Sequence, residues 1–289
     1  MVDVNTIKTM FHLDTEPTIP LSLVDIPLRA QAMVGKMSIS GVQPKLSLQL
    51  NKAQAELVPV AEGGEYILKP QIQHYPYVPE NESCCMDIAM ELEIEVPPHC
   101  LLPLKDGTLA YVVKRFDRVG KEKIHQENFY QILEKKDKYA GSLEEIGKKL
   151  KEVSAVPGLD VQLFFERVVL NFLIGNGDAH FQNYSMTYKS EGVRLAPAYD
   201  LVCTKLVIPG EEDSALTLHG KRNHLTRNDI DAFAEHLEIP EKVRYQKFVG
   251  KLSRMKQLIE ASRLPADFRG TFTEIVDSRY QRLKIEPLH

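Results

Sequence analysis

The sequence predicts an α+β fold of two lobes, with a β-rich N-lobe over residues 1–114 and a helical C-lobe over residues 115–289. In the first third of the chain, short runs alternate apolar and polar residues and end at turn residues, which is typical of strands. From residue 142 onwards, apolar residues recur mostly every three or four positions, as in amphipathic helices. A run of strands followed by a run of helices favours the α+β class.

Four segments of the N-lobe have a strand pattern, at residues 45–50, 56–60, 65–69 and 109–116. Gly63 and Gly64 separate the second segment from the third, and a Gly-Gly pair between two apolar runs predicts a β-hairpin there. A helix is predicted over residues 81–92, with an apolar stripe of Cys85, Ile88, Ala89 and Leu92.

The first predicted helix of the C-lobe starts at Ser142, because Glu145 stands three residues later and completes a capping box. Residues 161–175 are apolar almost all round but too short to cross a bilayer, so they predict a buried central helix. Two short strands, at residues 184–188 and 193–197, are expected next, and at least two amphipathic helices after residue 226.

Composition excludes several classes of protein. The net charge of −4 gives no basic field for nucleic acid or for an anionic membrane surface, so neither is expected as a direct partner. No run approaches the roughly 20 apolar residues that span a bilayer, and the first residues lack a secretory pattern, so a cytoplasmic location is expected. The four cysteines have no zinc-binding spacing and are predicted to be buried thiols.

The segment after the central helix carries the most chemical information. Asp178 and Asn183 have four residues between them, the D-x-x-x-x-N spacing of a kinase catalytic loop. In such a loop the Asp accepts the proton of an attacking hydroxyl and the Asn binds Mg²⁺. Asp200 follows a predicted strand and is a second candidate ligand, since Mg²⁺ prefers oxygen and keeps some of its waters.

Three N-lobe features fit a nucleotide site. Lys69 ends a strand and is expected to reach phosphates, and Glu82 in the next helix is its candidate ion-pair partner. The polar segment 37–45 is expected to offer backbone N–H groups to phosphates. Each feature alone also fits a structural role: a solvated lysine, a favourable charge in a first helical turn, or simple turn residues. The spacing of Asp178 and Asn183 likewise fits a capped turn after a helix.

Taken in order, the segments SISGVQPKLSL, YILKP, KRFDR, NGDAHFQNYSM and LAPAYDL resemble the successive signature segments of the HipA family. The resemblance covers about residues 37–201 and extends more loosely into the helices that follow. It implies a two-lobed, protein-kinase-like fold that uses ATP and Mg²⁺ to phosphorylate serine or threonine.

The resemblance also implies roles for individual residues. Asp178 matches the catalytic base, Asn183 and Asp200 match the magnesium ligands, and Lys69 matches the phosphate-binding lysine. His180 matches a histidine of the catalytic loop, where a loop-shaping role is equally open.

Other matched positions concern ATP and the loop that covers it. Arg115, Phe116 and Asp117 match the hinge that holds adenine and ribose. In the covering loop, Gly41, Val42 and Gln43 match ATP-binding positions, while Ser38 matches a serine that the family autophosphorylates and Ser40 is a second acceptor. A phosphate there adds nearly two negative charges, so it is expected to drive the loop away from ATP and inactivate the protein.

The implied partners follow from the same resemblance. The family acts as toxins of toxin–antitoxin systems, and an aminoacyl-tRNA synthetase is the implied protein substrate. Only 36 residues precede the covering loop, as in the short HipT-like branch, in which a separate small protein supplies an N-terminal subdomain. Two alternatives stay open: a kinase of lipids or small molecules, and a non-catalytic kinase-like module that binds a partner.

Overall fold

The structure is a computed structural model that describes residues 2–32, 44–120, 122–208 and 210–285. The chain divides into two compact units. The first contains Met1–Ser83 and Pro97–Lys123, and the second contains Cys84–Val96 and Ile124–His289.

The first unit is built on a five-stranded antiparallel sheet in the order β2-β1-β3-β5-β4. Its strands are β1 (Leu46–Asn51), β2 (Glu56–Pro59), β3 (Tyr66–Pro70), β4 (His99–Pro103) and β5 (Leu109–Lys114). The remaining elements are the helix α1 (Val4–Thr6), a wide helical turn (Ile7–Phe11), the helix α2 (Asp25–Ala32) and a ribbon of β6 (Arg118–Val119) and β7 (Glu122–Lys123).

The predicted hairpin across Gly63 and Gly64 is wrong. β2 and β3 do not pair with each other; each lies beside β1, and the hairpin joins β1 to β2, with Leu50 opposite Leu57. Ala55 adopts a φ of 48° in that turn, the conformation that glycine usually supplies. Gly64 has a different role, because a Cβ there would meet Oγ of Ser47 and lie 2.9 Å from the carbonyl oxygen of Leu48.

The core of this unit lies against the sheet. Leu46, Leu48 and Leu50 alternate along β1 and are all buried, as a strand with one covered face requires. They belong to one apolar cluster with Met10 and Phe11 of the N-terminal segment. Burying a side chain of this size contributes about 1.5–3 kcal/mol, so the N-terminal segment is an integral part of the sheet's core.

The helix α3 (Val78–Glu91) begins three residues before the predicted start. Cys85, Ile88, Ala89 and Leu92 are all buried, as the apolar stripe predicted. Each of the four cysteines is also a buried free thiol.

The second unit contains most of the helices and a three-stranded antiparallel sheet in the order β10-β9-β8. Its helices are α4 (Phe129–Ile132), α5 (Leu143–Val153), α6 (Pro157–Leu173), α7 (Arg227–His236), α8 (Leu252–Ala261) and α9 (Ala266–Leu283). Its strands are β8 (His125–Asn128), β9 (Ser185–Lys189) and β10 (Gly192–Leu195).

Local sequence signals determine where two of these helices begin. Ser142 and Glu145 form the predicted capping box at the start of α5, each side chain accepting the other's backbone N–H. Pro157 opens α6, where its missing N–H costs no helical hydrogen bond. Asp160 in α6 is fully buried and accepts three hydrogen bonds from the guanidinium of Arg194, which fixes the helix to β10.

Within the described ranges, the structure has no helix with both the length and the apolar character needed to span a bilayer.

Candidate active site

Five of the predicted site residues cannot be placed. Ser38, Ser40, Gly41, Val42 and Gln43 lie outside the described residues, so the predictions made for that loop stay predictions.

The candidate catalytic loop leaves the buried end of α6 through a tight turn. Gly175 adopts a φ of 71°, a conformation that costs other residues energy. A Cβ at Gly177 would lie 2.6 Å from the carboxylate of Glu211, so this position is held to glycine by a close approach. The turn brings the chain from the rigid helix directly to Asp178.

Asn183 and Asp200 lie side by side, although 17 positions separate them in the chain. Nδ2 of Asn183 is 3.4 Å from Oδ2 of Asp200, and Oδ1 of Asn183 accepts the backbone N–H of His180 at 3.0 Å. Asp200 has a φ of 54°, which is uncommon for a residue with a side chain and is often found at functional sites. The local fold therefore holds an amide and a carboxylate together at one point.

Asn176 is a buried residue of this site that the sequence reasoning missed. Its Oδ1 accepts the backbone N–H of Asp178 at 3.2 Å, and its Nδ2 lies 3.4 Å from the backbone carbonyl of Asp200. The same Nδ2 donates to Oδ1 of Asn171 in α6 at 2.9 Å. The side-chain amide of Asn176 thus connects the loop of Asp178 and the loop of Asp200 to the central helix α6. In the sequence, the only indication of this role was that Asn176 lies between two glycines.

Tyr139 is the second residue that was missed. Its hydroxyl donates to Oδ1 of Asp178 at 2.8 Å. Burial raises the pKa of Tyr139 above its ordinary value and the bond to Asp178 raises it further, because both favour the neutral, donating phenol. The two residues are 39 positions apart, and no local pattern connects them.

His180 shapes the loop and touches a cation. Its Nδ1 lies 3.3 Å from the backbone N of Gln182, and its Nε2 lies 2.8 Å from Nζ of Lys138. Burial lowers the pKa of His180; the Asp178 carboxylate opposes this effect, while the charge of Lys138 adds to it. The imidazole is therefore held neutral, which fits the loop-shaping role left open above.

In the first unit, Lys69 and Glu82 form a short ion pair. Nζ of Lys69 is 2.6 Å from Oε1 of Glu82, and the two side chains are only 9% and 2% exposed. Nζ also lies 5.6 Å from the centre of the Tyr111 ring, within the range of a cation–π interaction. The structure thus brings together the lysine and the glutamate that the sequence suggested as partners.

The three hinge candidates follow β5. Arg115 binds the carboxylate of Asp117 through two bonds of 2.8 Å, and Arg118 adds a third of 2.6 Å, while Phe116 between them is half-buried. Burial alone would raise the pKa of Asp117, but the two arginines outweigh it and lower the pKa. Any ribose contact made by Asp117 would compete with this pairing.

The group around Asn183 fits Mg²⁺ in type and number of donors. Among the residues that the structure describes, no three His, Cys, Asp or Glu side chains gather as a metal site. Magnesium does not require such a cluster, since it is commonly held by one or two protein oxygens together with phosphates and water. Asp200 offers a carboxylate, and Oδ1 of Asn183 keeps a second lone pair beyond the one that His180 occupies.

The D-x-x-x-x-N spacing of Asp178 and Asn183, with Asp200 beside Asn183, is the pattern of a protein-kinase-like catalytic loop and metal site. Residues 37–262 match the family of HipA-like C-terminal domains, and the chain belongs to that family. The family resemblance and the fold class expected from the sequence are both confirmed.

Three comparisons illustrate the relationship. The chain is 30% identical over 276 residues to a putative kinase of Haemophilus influenzae, covering 84% of this chain and 80% of that one. It is 23% identical over 249 residues to the serine/threonine-protein kinase toxin HipA of Shewanella oneidensis, covering 78% of this chain and 57% of the toxin. It also aligns with a protein of the Shewanella oneidensis MR-1 complex of HipA, HipB and operator DNA, with a TM-score of 0.68, 20% identity, and coverage of 95% and 67% of the two chains.

These relatives make the chain a HipA-like kinase at the level of its family. ATP is the phosphate donor that such a family implies.

Proposed function

We propose that this protein is a serine/threonine protein kinase that transfers the γ-phosphate of ATP to a protein hydroxyl with the help of Mg²⁺. The observation that carries the proposal is the contact between Asn183 and Asp200 in the same unit as Asp178. Asn176, which bonds the backbone of both Asp178 and Asp200, connects the proposed base to this pair. A base, a metal-binding amide and a metal-binding carboxylate are parts that phosphoryl transfer uses.

Each residue has one task in this mechanism. Asp178 orients the acceptor hydroxyl and takes its proton as the oxygen attacks phosphorus. Asn183 and Asp200 hold Mg²⁺, which supplies neutralising charge to the phosphates when bound. Lys69, oriented by Glu82, contributes a further positive charge to the phosphates.

The proposal extends to self-modification. Ser38 and Ser40 are the proposed acceptors within the chain, with Gly41, Val42 and Gln43 holding phosphates through their backbone in the unmodified protein. Arg115, Phe116 and Asp117 are proposed to border adenine and ribose. Support for all of these positions comes from the matched motifs of the family, whose model begins at residue 37.

The biological role that we propose is that of a toxin in a toxin–antitoxin system. The support is the named toxin among the relatives and the likeness to a protein from a toxin–antitoxin complex. The proposed partners are a cognate antitoxin, with a small protein that resembles an N-terminal subdomain of the family among the candidates, and an aminoacyl-tRNA synthetase as substrate. The net charge of −4 supports a role without direct contact to nucleic acid.

The direct test uses γ-labelled ATP and Mg²⁺ with the purified protein, added in parallel to a cell lysate and to a metabolite and lipid extract. We expect label on serine or threonine of one or a few lysate proteins and on Ser38 or Ser40, and none with Asp178→Asn. Label in the extract alone would replace the proposal with a small-molecule or lipid kinase. No label anywhere, together with unchanged ATP, would indicate a binding module.

A further inference from the structure

The segment that contains Tyr139 is fastened to the candidate catalytic loop by its backbone. Phe181 N–H donates to the carbonyl of Lys138 at 3.3 Å, and the guanidinium of Arg222 donates to the carbonyl of Tyr139 at 2.6 Å. The N–H of Tyr139 donates to Oδ1 of Asp137 at 2.9 Å. The backbone on both sides of this tyrosine is therefore fixed by bonds that do not involve its side chain.

The ring of Tyr139 is also held in place. It meets the imidazole of His180 edge-on, with ring centres 5.2 Å apart and an interplanar angle of 77°. Nζ of Lys138 lies 4.8 Å from the ring centre while also contacting His180. A ring in this arrangement has one favoured position, and its hydroxyl then reaches Oδ1 of Asp178 at 2.8 Å.

The two oxygens of Asp178 have different surroundings. Oδ1 accepts the bond from Tyr139, whereas none of the described residues donates a hydrogen bond to Oδ2. Without an anchor, a half-exposed carboxylate rotates about its terminal torsion, which is broad. A catalytic group that has to act within a few tenths of an ångström gains from being held by a neighbouring side chain.

We propose that Tyr139 is a positioning residue, which fixes Asp178 through Oδ1 and leaves Oδ2 directed to the acceptor hydroxyl. This inference rests on the proposed function, because it assigns Asp178 as the base. The phenol is suited to the task, because it donates one hydrogen bond and leaves the negative charge of the carboxylate in place.

A different role for the same contact would be that Tyr139 is itself an acceptor of phosphate, since its hydroxyl occupies one side of the base. The fixed backbone and the packed ring oppose this, because an acceptor has to advance towards the phosphorus atom. Phosphate on Tyr139 in the wild-type protein, found by peptide mass spectrometry after incubation with ATP, would overturn the positioning role.

The test compares Tyr139→Phe with Tyr130→Phe as a matched control. Both changes remove one phenolic hydroxyl from the same part of the chain, but among the described residues the hydroxyl of Tyr130 bonds only the carbonyl of Lys136, at 3.5 Å. We expect Tyr139→Phe to lower kcat roughly tenfold, the loss of one hydrogen bond to a charged group. The KM for ATP and the Tm should stay at their wild-type values, and Tyr130→Phe should match the wild type throughout.

A loss of Tm in step with kcat, or an equal loss in Tyr130→Phe, would overturn the proposal in favour of a general structural role. An unchanged kcat in Tyr139→Phe would overturn it as well.

A second measurement does not depend on activity. With 3-fluorotyrosine placed at position 139, the ¹⁹F resonance should move when Asp178 is changed to Ala and stay in place when the exposed Asp267 is changed to Asn. No movement in Asp178→Ala would overturn the contact, and with it the proposal. If the contact is present but the wild type transfers no phosphate, the proposed function fails and takes the positioning role with it; an active wild type with a normal Tyr139→Phe removes the positioning role alone.

Discussion

The candidate site residues Lys69 and Asp117 in the first unit and Asp178 in the second have different kinds of neighbours. In the first unit, Lys69 is paired with Glu82, and Asp117 is held by Arg115 and Arg118. In the second unit, Asp178 accepts a hydrogen bond from the neutral phenol of Tyr139. In the described part of the chain, no lysine or arginine pairs with Asp178.

Lys69 and Asp117 are thus held by groups of opposite charge, whereas Asp178 is held by a neutral donor. A buried pair such as Lys69–Glu82 has already lost its hydration, so its geometry is fixed by the partner. Asp178, next to a neutral donor, keeps a negative charge that a proton can use. The charges of Lys69 and Asp117 are therefore compensated within the first unit, whereas that of Asp178 is not paired with a cation in the described structure.

The largest expected effect lies in the second unit. Asp178→Asn removes the proposed base while conserving its size, so phosphoryl transfer should fall about 10³-fold, within the range ascribed to general base catalysis. The Tm should stay at the wild-type value, because Asp178 makes no ion pair in the described structure. The exposed Asp267, changed to Asn, is the control for loss of one carboxylate. Transfer at more than a tenth of the wild-type rate would show that Asp178 is not the base.

The next effect lies in the first unit and concerns stability. Lys69→Met leaves the carboxylate of Glu82 buried without its cation, which should cost about 3 kcal/mol of unfolding free energy. Adding Glu82→Gln removes the isolated charge, so the double variant should be more stable than Lys69→Met alone. Urea unfolding of the single variants and the double variant measures this coupling. Additive losses would mean that the two charges do not depend on each other.

The smallest effect concerns pH. The arginines outweigh burial and hold the pKa of Asp117 below its ordinary value of 3.8, so the unfolded chain binds a proton at a higher pH than the folded chain does. The contribution of this group to stability is therefore complete above pH 3.8 and is lost as the pH falls through the lower, folded value. Asp117→Asn should flatten the decline of stability between pH 4 and pH 3 relative to the wild type, as measured by urea unfolding at each pH. Equal slopes in the variant and the wild type would contradict the assigned pairing.

What the sequence predicted correctly was mostly local. The capping box at Ser142 and the apolar stripe of α3 depend on residues within a few positions of one another, and the structure contains both. The order of strands in the first sheet was missed, because the Gly-Gly pair signals a turn without indicating which strand lies next to which. The strand β4 was also missed, since its place depends on pairing with β5 and not on its own short pattern.

The same distinction between local and long-range features applies to the candidate site. The spacing of Asp178 and Asn183 can be read from one loop, and Asp200 was suggested by its place after a predicted strand. Tyr139 and Asn176 came to light only in the structure, since one acts across 39 positions and the other through backbone atoms. Contacts that depend on the folded chain, and not on the spacing of residues along it, cannot be predicted from one sequence.

The central claim is that Asp200 and Asn183 hold the metal ion of a bound nucleotide, and Mn²⁺ binding tests it most directly. Electron paramagnetic resonance can follow Mn²⁺ as a substitute for Mg²⁺ in the presence of a non-hydrolysable ATP analogue. We predict that Asp200→Asn, which tolerates the positive φ at this position, weakens Mn²⁺ binding at least tenfold, whereas Asp178→Asn binds like the wild type. Equal Mn²⁺ affinity in the wild type and in Asp200→Asn would contradict the account.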